Sequence, residues 1–440
     1  MRKAMLRADV AIPGKICLQK LKTNLVYDLG VKPDTTSAIP TILFGAFDRH
    51  NFGDLLFPHI VASMLQQENI VCAGLATRDL RAYGGHQVRA LAELAADWGE
   101  RTVNLIHVGG EILTCSAWQA AVMLLEPEEA QEMVMRLDTH PAQAREWACS
   151  SLGLSMRAPY TLCRELFPGA ATVVYNAVGG VGLGLCEPLM RTEVLAKLRA
   201  ADALSVRDTQ THAFIRAEGI ACALVPDAAV MVEELFGAII HQRTRQGEVA
   251  RVREAFPGGY IAVQFSADFG DDATMEEIAV GLMAAAETTG FGVVFFRAGI
   301  APWHDELETY QRVASRMHGV EACLFSDPDV WNICALIASS RAYLGSSLHG
   351  RIVAMAYALP CMNLLHPTQA KAHSKALAYA ATWVGNDMLT AVPVHEIAAG
   401  LSAALATDTQ QRRHTARTLA SEYRRWFEKI RLMLQPGVMP

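Results

Sequence analysis

The feature that most constrains this fold is a rhythm. From Thr41 to about residue 390 the chain repeats a short apolar run, a turn bearing Gly or Asp, and a helical stretch. The runs are TILFGAF (41–47), TVNLIHVGG (102–110), ATVVYNAVGG (171–180), ALSVRD (203–208) and ALVPDA (223–228). Then come YIAVQFS (260–266), FGVVFFRAG (291–299), VEACLFSD (320–327), RAYLGSS (341–347) and LPCMNLL (359–365). Continuous apolar runs separated by helices are parallel strands buried on both faces. The expected fold class is α/β, with two Rossmann-like, doubly wound domains facing a cleft. Ligands bind such sheets beyond the carboxyl ends of the strands, so the chemistry belongs in the turns that follow the runs.

The rhythm also divides the chain. Residues 1–40 read as an irregular lead-in, 41–235 as the N-terminal domain and 255–390 as the C-terminal one, with a helical tail over 391–440. The boundary lies in a charged helical stretch that begins at Val232 and closes on Pro257-Gly258-Gly259. A helix-rich insertion over 113–168 interrupts the first domain. Its Trp118 and Trp147 belong either to an added helical layer or to a cap that stacks on a sugar ring. The tail, ending in TARTLASEYRRWFEKIRLML, is amphipathic and packs back across both domains in this reading.

Composition narrows the function. With 39 basic against 45 acidic residues and a net charge of −6, the chain is not a bulk nucleic-acid binder. The 51% apolar content supplies sizeable cores. Ten cysteines without a CxxC pair read as small buried hydrophobes in a reducing compartment. The basic N-terminus is interrupted by Asp9, Pro13 and Lys15, so it is not read as a secretory signal. No run reaches the roughly 18 apolar residues of a membrane span. The expected location is the cytoplasm, with at most peripheral contact at the inner membrane face. HExxH, paired CxxC and calcium-loop spacings are missing, and no metal is expected.

The most informative turn lies in RAYLGSSLHGRIVAMAYALP (341–360). A strand feeds a helix through Gly345, Ser346 and Ser347, and His349 stands at the turn. The helix is expected to bury Ile352, Met355, Ala356 and Leu359, with Pro360 as its stop. Such a turn aims backbone N–H groups at an anion. After the first strand, Asp48, Arg49, His50 and Asn51 crowd one loop. There Asn51 or Asp54 would hold a hydroxyl, Gly53 would admit a ligand to the backbone, and Asp54 would cap the helix, with Pro58 in its first turn. Gly110 and Glu111 end the second run. Gly180-Val181-Gly182 fails the dinucleotide fingerprint, because Leu185 stands where its last glycine belongs. Arg207, at the end of a strand, is either a fork for carboxylate or phosphate or the partner of Asp227. Arg297 and His304 follow a strand of the second half.

NFGD (51–54), SVRD (205–208), PDAA (226–229) and ALIASSRAYLGSSLHGRIVAMAYALPCMNL together resemble the polysaccharide pyruvyl transferases over about residues 41–385. The resemblance implies a GT-B-like architecture. It implies transfer of the pyruvyl group of phosphoenolpyruvate to a saccharide or lipid-linked saccharide, forming a ketal in cell-surface polysaccharide synthesis, with no cofactor beyond that donor. It makes His349 the general acid and Arg207 a donor contact. Ser347 stands where several members carry Arg, so Arg351 or Arg297 is expected to supply the missing charge. Glu111 replaces the third glycine often seen there. A nucleotide-sugar glycosyltransferase and a non-catalytic glycan- or anion-binding protein are the alternatives.

Overall fold

The ten apolar runs all become strands. A computed structural model of the chain describes residues 39–67, 69–368, 374–385 and 391–435. The lead-in through residue 38, with Cys17 and the basic N-terminus, lies outside them. Among the described residues the first sheet holds β1 (Thr41–Phe44), β2 (Ile70–Gly74), β3 (Arg78–Asp79), β4 (Gln87–Ala90), β5 (Val103–His107), β6 (Ala170–Val178), β7 (Ala203–Val206) and β8 (Ala223–Leu224). Their order is β3-β4-β2-β1-β5-β6-β7-β8, and every pair but β3–β4 is parallel. The second sheet holds β9 (Tyr260–Gln264), β10 (Gly292–Phe296), β11 (Ala322–Phe325), β12 (Ala342–Gly345), β13 (Cys361–Leu365) and β14 (Ala391–Pro393). It is all parallel in the order β11-β10-β9-β12-β13-β14. β2, β3, β4 and β14 are the strands the sequence reading missed. β3 and β14 are very short, and β2 is only half-buried over its first three residues.

Each sheet winds outward in both directions from one place. In the first the order reverses between β1 and β5, paired Thr41 to Asn104. In the second it reverses between β9 and β12, paired Ile261 to Ala342. Loops leaving two such neighbours turn to opposite faces and open a crevice at their carboxyl ends.

One apolar core runs between the sheets. Phe57 and Ile60 from helix Phe52–Leu65, Trp331 and Ile333 from helix Val330–Ser339, Ile352 and Val353 from helix Leu348–Ala356, and Tyr423 and Phe427 from helix Thr409–Met433 all belong to it. The tail crosses both halves. Asn176 on β6 donates to the Tyr423 hydroxyl (2.7 Å) and accepts from Trp426 (3.1 Å), while Arg412 donates to the Ala358 carbonyl (2.9 Å). No helix among the described residues is long and apolar enough to cross a membrane.

Three local expectations are corrected. Asn51, not Asp54, caps helix Phe52–Leu65, its side chain accepting from the Gly53 and Asp54 N–H groups. Pro58 is therefore inside that helix rather than in its first turn, and the Asp54 carbonyl has no N–H four residues on. The helix after β12 ends at Ala356, before Leu359. Ala358 adopts a left-handed φ of 54°, and Leu359 N–H closes onto the Ala354 carbonyl at 2.9 Å. Between β5 and β6 stand helices Ala117–Val122, Pro127–Leu137 and Pro141–Leu152. Trp118 and Trp147 pack edge-to-face on one another at 5.5 Å, and Trp118 donates to Asp138. They form a helical layer and do not line the cleft.

Candidate active site

The two reversal points face each other across a cleft of about 850 Å³. One wall carries Arg49, Asn51, Asp54, Glu111 and Arg207, from the loops after β1, β5 and β7. The other carries Gln264, Ser266, His304, Asp305, Ser346, Ser347 and His349, from the loops after β9, β10 and β12. The loops are joined directly, for Phe52 N–H donates to the Ala298 carbonyl at 2.8 Å.

His349 is in the second position of its helix and is 8% exposed. Ser347 caps that helix, its hydroxyl accepting from the Gly350 N–H at 3.2 Å. A serine is thus well used at the position where the resemblance expects arginine. The His349 ring lies edge-to-face on Phe57 at 5.2 Å. It also lies against the backbone of Gly53, where an added Cβ would fall 1.9 Å from its Nδ1. Gly53 therefore admits a side chain of the protein, not a ligand as the sequence suggested. On the other side Nε2 stands 3.7 Å from Asp227 Oδ2, beyond hydrogen-bond range, and has no hydrogen-bond partner among the described residues.

Asp227 is fully buried. Burial alone would raise its carboxyl, but the neighbouring His349 ring, the Arg207 guanidinium and the Ala229 N–H outweigh it and hold it at about 2. Arg207, itself 2% exposed, is spent on two carboxylates: Asp227 at 2.8 Å and Glu111 at 2.7 Å. The second Glu111 oxygen accepts from Val181 N–H at 2.7 Å. Arg207 thus reaches the cleft as the centre of an ion cluster, one guanidinium between two carboxylates, that ties three loops together. Asp227 is its turn partner, the second of the two roles left open for it.

The remaining expected residues divide. Ser346 accepts from Ser266 N–H at 3.0 Å and, with Ser347, lines the cleft. Gly110, at φ 88°, lies behind Asp54, its backbone geometry open to glycine above other residues. Arg351 is elsewhere. It is buried beneath its helix, 1% exposed, and donates to Asn363 at 3.0 Å on the far side from the cleft. Its position two residues after His349 turns it about 200° around the helix, away from the cleft. Arg297 follows β10 but does not line the cleft either.

Several cleft residues escaped the sequence reading. Gln264 accepts from Ser347 N–H at 2.8 Å and donates to both oxygens of Asp305 (2.8 and 3.0 Å), while Ala298 N–H donates to the same carboxyl at 2.6 Å. Burial pushes Asp305 up to about 6 against those hydrogen bonds. Lys375 enters from the start of helix Lys375–Trp383. Trp303 is 48% exposed at the rim and has a left-handed φ of 63°, a strained backbone for a bulky residue. These polar residues follow no motif, and only the β9–β12 reversal brings Gln264 to Ser347. Among the described residues no group of three or more His, Cys, Asp or Glu could hold a metal. The nine described cysteines are unpaired, and burial pushes Cys115, the one on the cleft wall, up to about 11.

Comparison with known proteins bears out the resemblance. A family model described as "Polysaccharide pyruvyl transferase" matches residues 164–366, a stretch that includes Arg207, Asp227, Ser347 and His349. No curated protein matches the chain in sequence. Among solved structures, the UDP-GlcNAc 2-epimerase of Methanocaldococcus jannaschii aligns at a TM-score of 0.51 and 10% identity, over 89% of this chain and 99% of that one. The Neisseria meningitidis UDP-GlcNAc 2-epimerase bound to UDP-GlcNAc aligns at 0.49 and 11%, over the same shares. At such identities the likeness is one of fold. It places the chain among GT-B-like proteins, two Rossmann-like halves facing a cleft.

Proposed function

We propose that this protein is an enzyme that transfers the pyruvyl group of phosphoenolpyruvate to a saccharide or lipid-linked saccharide, forming a ketal in cell-surface polysaccharide synthesis. The observation that carries the reading is His349. A titratable ring stands at the reversal point of one sheet, lines the cleft, and is backed by a buried, ionised Asp227. It does so within the stretch matched by the pyruvyl transferase family model.

The chemistry needs a proton at the terminal carbon of the donor's enol. His349 gives it, and Asp227 stabilises the imidazolium before transfer. Protonation leaves C2 electrophilic. One sugar hydroxyl attacks C2, phosphate departs, and a second hydroxyl closes the ketal, each hydroxyl giving up its proton. Asp54 or Glu111, both on the cleft wall, takes a hydroxyl proton. Of the two, Asp54 is the less committed, since Glu111 already holds Arg207 and Val181.

The test is phosphate release from phosphoenolpyruvate over a panel of saccharide acceptors. His349→Ala should lower turnover at least about 100-fold, the scale of a lost general acid. Full turnover in that variant would remove His349 from the mechanism. Saturable glycan binding without phosphate release would replace the reading with a binding protein, and stabilisation by nucleotide sugars alone would point to glycosyl transfer.

A further inference from the structure

The cleft holds two cations and a histidine that the pyruvyl-transfer reading has not used. Arg49, on the loop after β1, has a side chain only 10% exposed. Its Nη1 donates to the Tyr160 hydroxyl at 2.8 Å and its Nη2 is 4.0 Å from Asp54, but its Nε is buried with no hydrogen-bond partner among the described residues. Across the cleft His304, on the loop after β10, is likewise left with a buried, unpartnered Nε2. Burial first, and then the charges of Arg49 and Lys375, push its imidazole down to about 3, so all three act on one region. Lys375 is exposed and has no ion pair among the described residues. All three line the cleft.

The nearby acids are each held by other groups, Asp268 on the cleft wall by the Ser266 hydroxyl. Asp305 is occupied by Gln264 and the Ala298 N–H. Asp48 accepts from Tyr160 and from the Leu75 and Ala76 N–H groups. Glu111 and Asp227 are both paired with Arg207. Asp54 stands at the limit of ion-pair distance from Arg49, and Asp48 is joined to Arg49 through the Tyr160 hydroxyl. An orphaned buried donor is costly unless a ligand pairs with it; Arg49 carries one, and its guanidinium lines the same cleft as the Lys375 ammonium and the neutral His304 ring, a set that suits an anion accepting several hydrogen bonds.

We propose that Arg49, His304 and Lys375 form a phosphate subsite. Under the pyruvyl-transfer reading, on which the identity of the ligand rests, it holds the phosphate of phosphoenolpyruvate. Arg49 and Lys375 supply, from one loop and one helix start, the charge that Ser347 does not bring and that Arg351 and Arg297 are not placed to give, and His304 adds a neutral hydrogen-bonding ring.

The experiment is calorimetric titration of the full chain with phosphoenolpyruvate, alone and in competition with inorganic phosphate. It compares wild type, Lys375→Ala and His304→Ala. Lys375 is exposed and its truncation leaves the core untouched, so a folding defect does not confound it. Expected are displacement of phosphoenolpyruvate by phosphate in the wild type and about tenfold weaker binding in each variant, the scale of one charge-assisted hydrogen bond. Wild-type affinity in both variants overturns the subsite and leaves pyruvyl transfer standing. Failure of phosphate to compete overturns it too, because the cluster would then hold the carboxylate. If phosphate binds, weakens in the variants, and phosphoenolpyruvate does not bind, the subsite stands and the donor reading fails. Binding of neither anion to the wild type ends both.

Discussion

At the scale of single residues, Gly53 is the sharpest case. Its sequence context, NFGD, suggested a close approach of ligand to backbone, and the close approach is real but is made by His349. Gly53→Ala puts a methyl 1.9 Å from Nδ1, so the ring must leave its place between Phe57 and Asp227. Alanine is otherwise favoured in a helix by about 1 kcal/mol, which offsets part of the overpacking. We expect phosphate release to fall at least about 30-fold, the cost of a misplaced catalytic group, while the variant stays folded by circular dichroism. A variant with wild-type turnover would show that the observed ring position is not the active one. Arg207 teaches the same lesson from the other side. The sequence left open a ligand fork or a partner of Asp227, and only the approach of Glu111, ninety-six residues earlier in the chain, commits both of its forks.

At the scale of elements, the strands were legible because burial on both faces writes itself as an uninterrupted apolar run. The misses had physical causes. β3 and β14 are two and three residues long, too short for any period, and the start of helix Phe52–Leu65 was displaced because Asn51 and Asp54 are both good caps. What no local pattern carried was the link between β9, β10 and β12 through Gln264 and Asp305. That link is testable by pH. Asp305 is raised to about 6 in the folded chain from an ordinary 3.8, so the folded state binds more protons than the unfolded one between those values. Its contribution to stability is therefore present at low pH and lost as pH rises through about 6, by about 3 kcal/mol in all. Asp305→Asn lacks this dependence. Relative to wild type its stability should rise by up to that amount between pH 4 and pH 7, as read from denaturant unfolding at the two values. A constant difference would show that Asp305 does not titrate in this window.

At the scale of the whole molecule, the helix Thr409–Met433 fastens a shared core. Asn176 is buried in β6, and its amide both donates to Tyr423 and accepts from Trp426. Asn176→Ala orphans two polar groups at once and should cost about 3 kcal/mol. Because one apolar core joins the helices of both sheets, the loss should appear as a lower midpoint of a single calorimetric transition. Two separated transitions would show that the halves unfold independently.

The sequence by itself determined the α/β class, ten of the strands, the turn that carries His349 and the family resemblance, because each is written in neighbouring residues through burial, turn geometry and motif. The tertiary structure decided which charges meet. Arg351 is two residues from His349 and faces away, whereas Arg49 and Lys375 are far apart in the chain and share one cleft. Helical rotation separates near neighbours, and two sheets reversing at facing points bring distant loops together. Sequence spacing records neither.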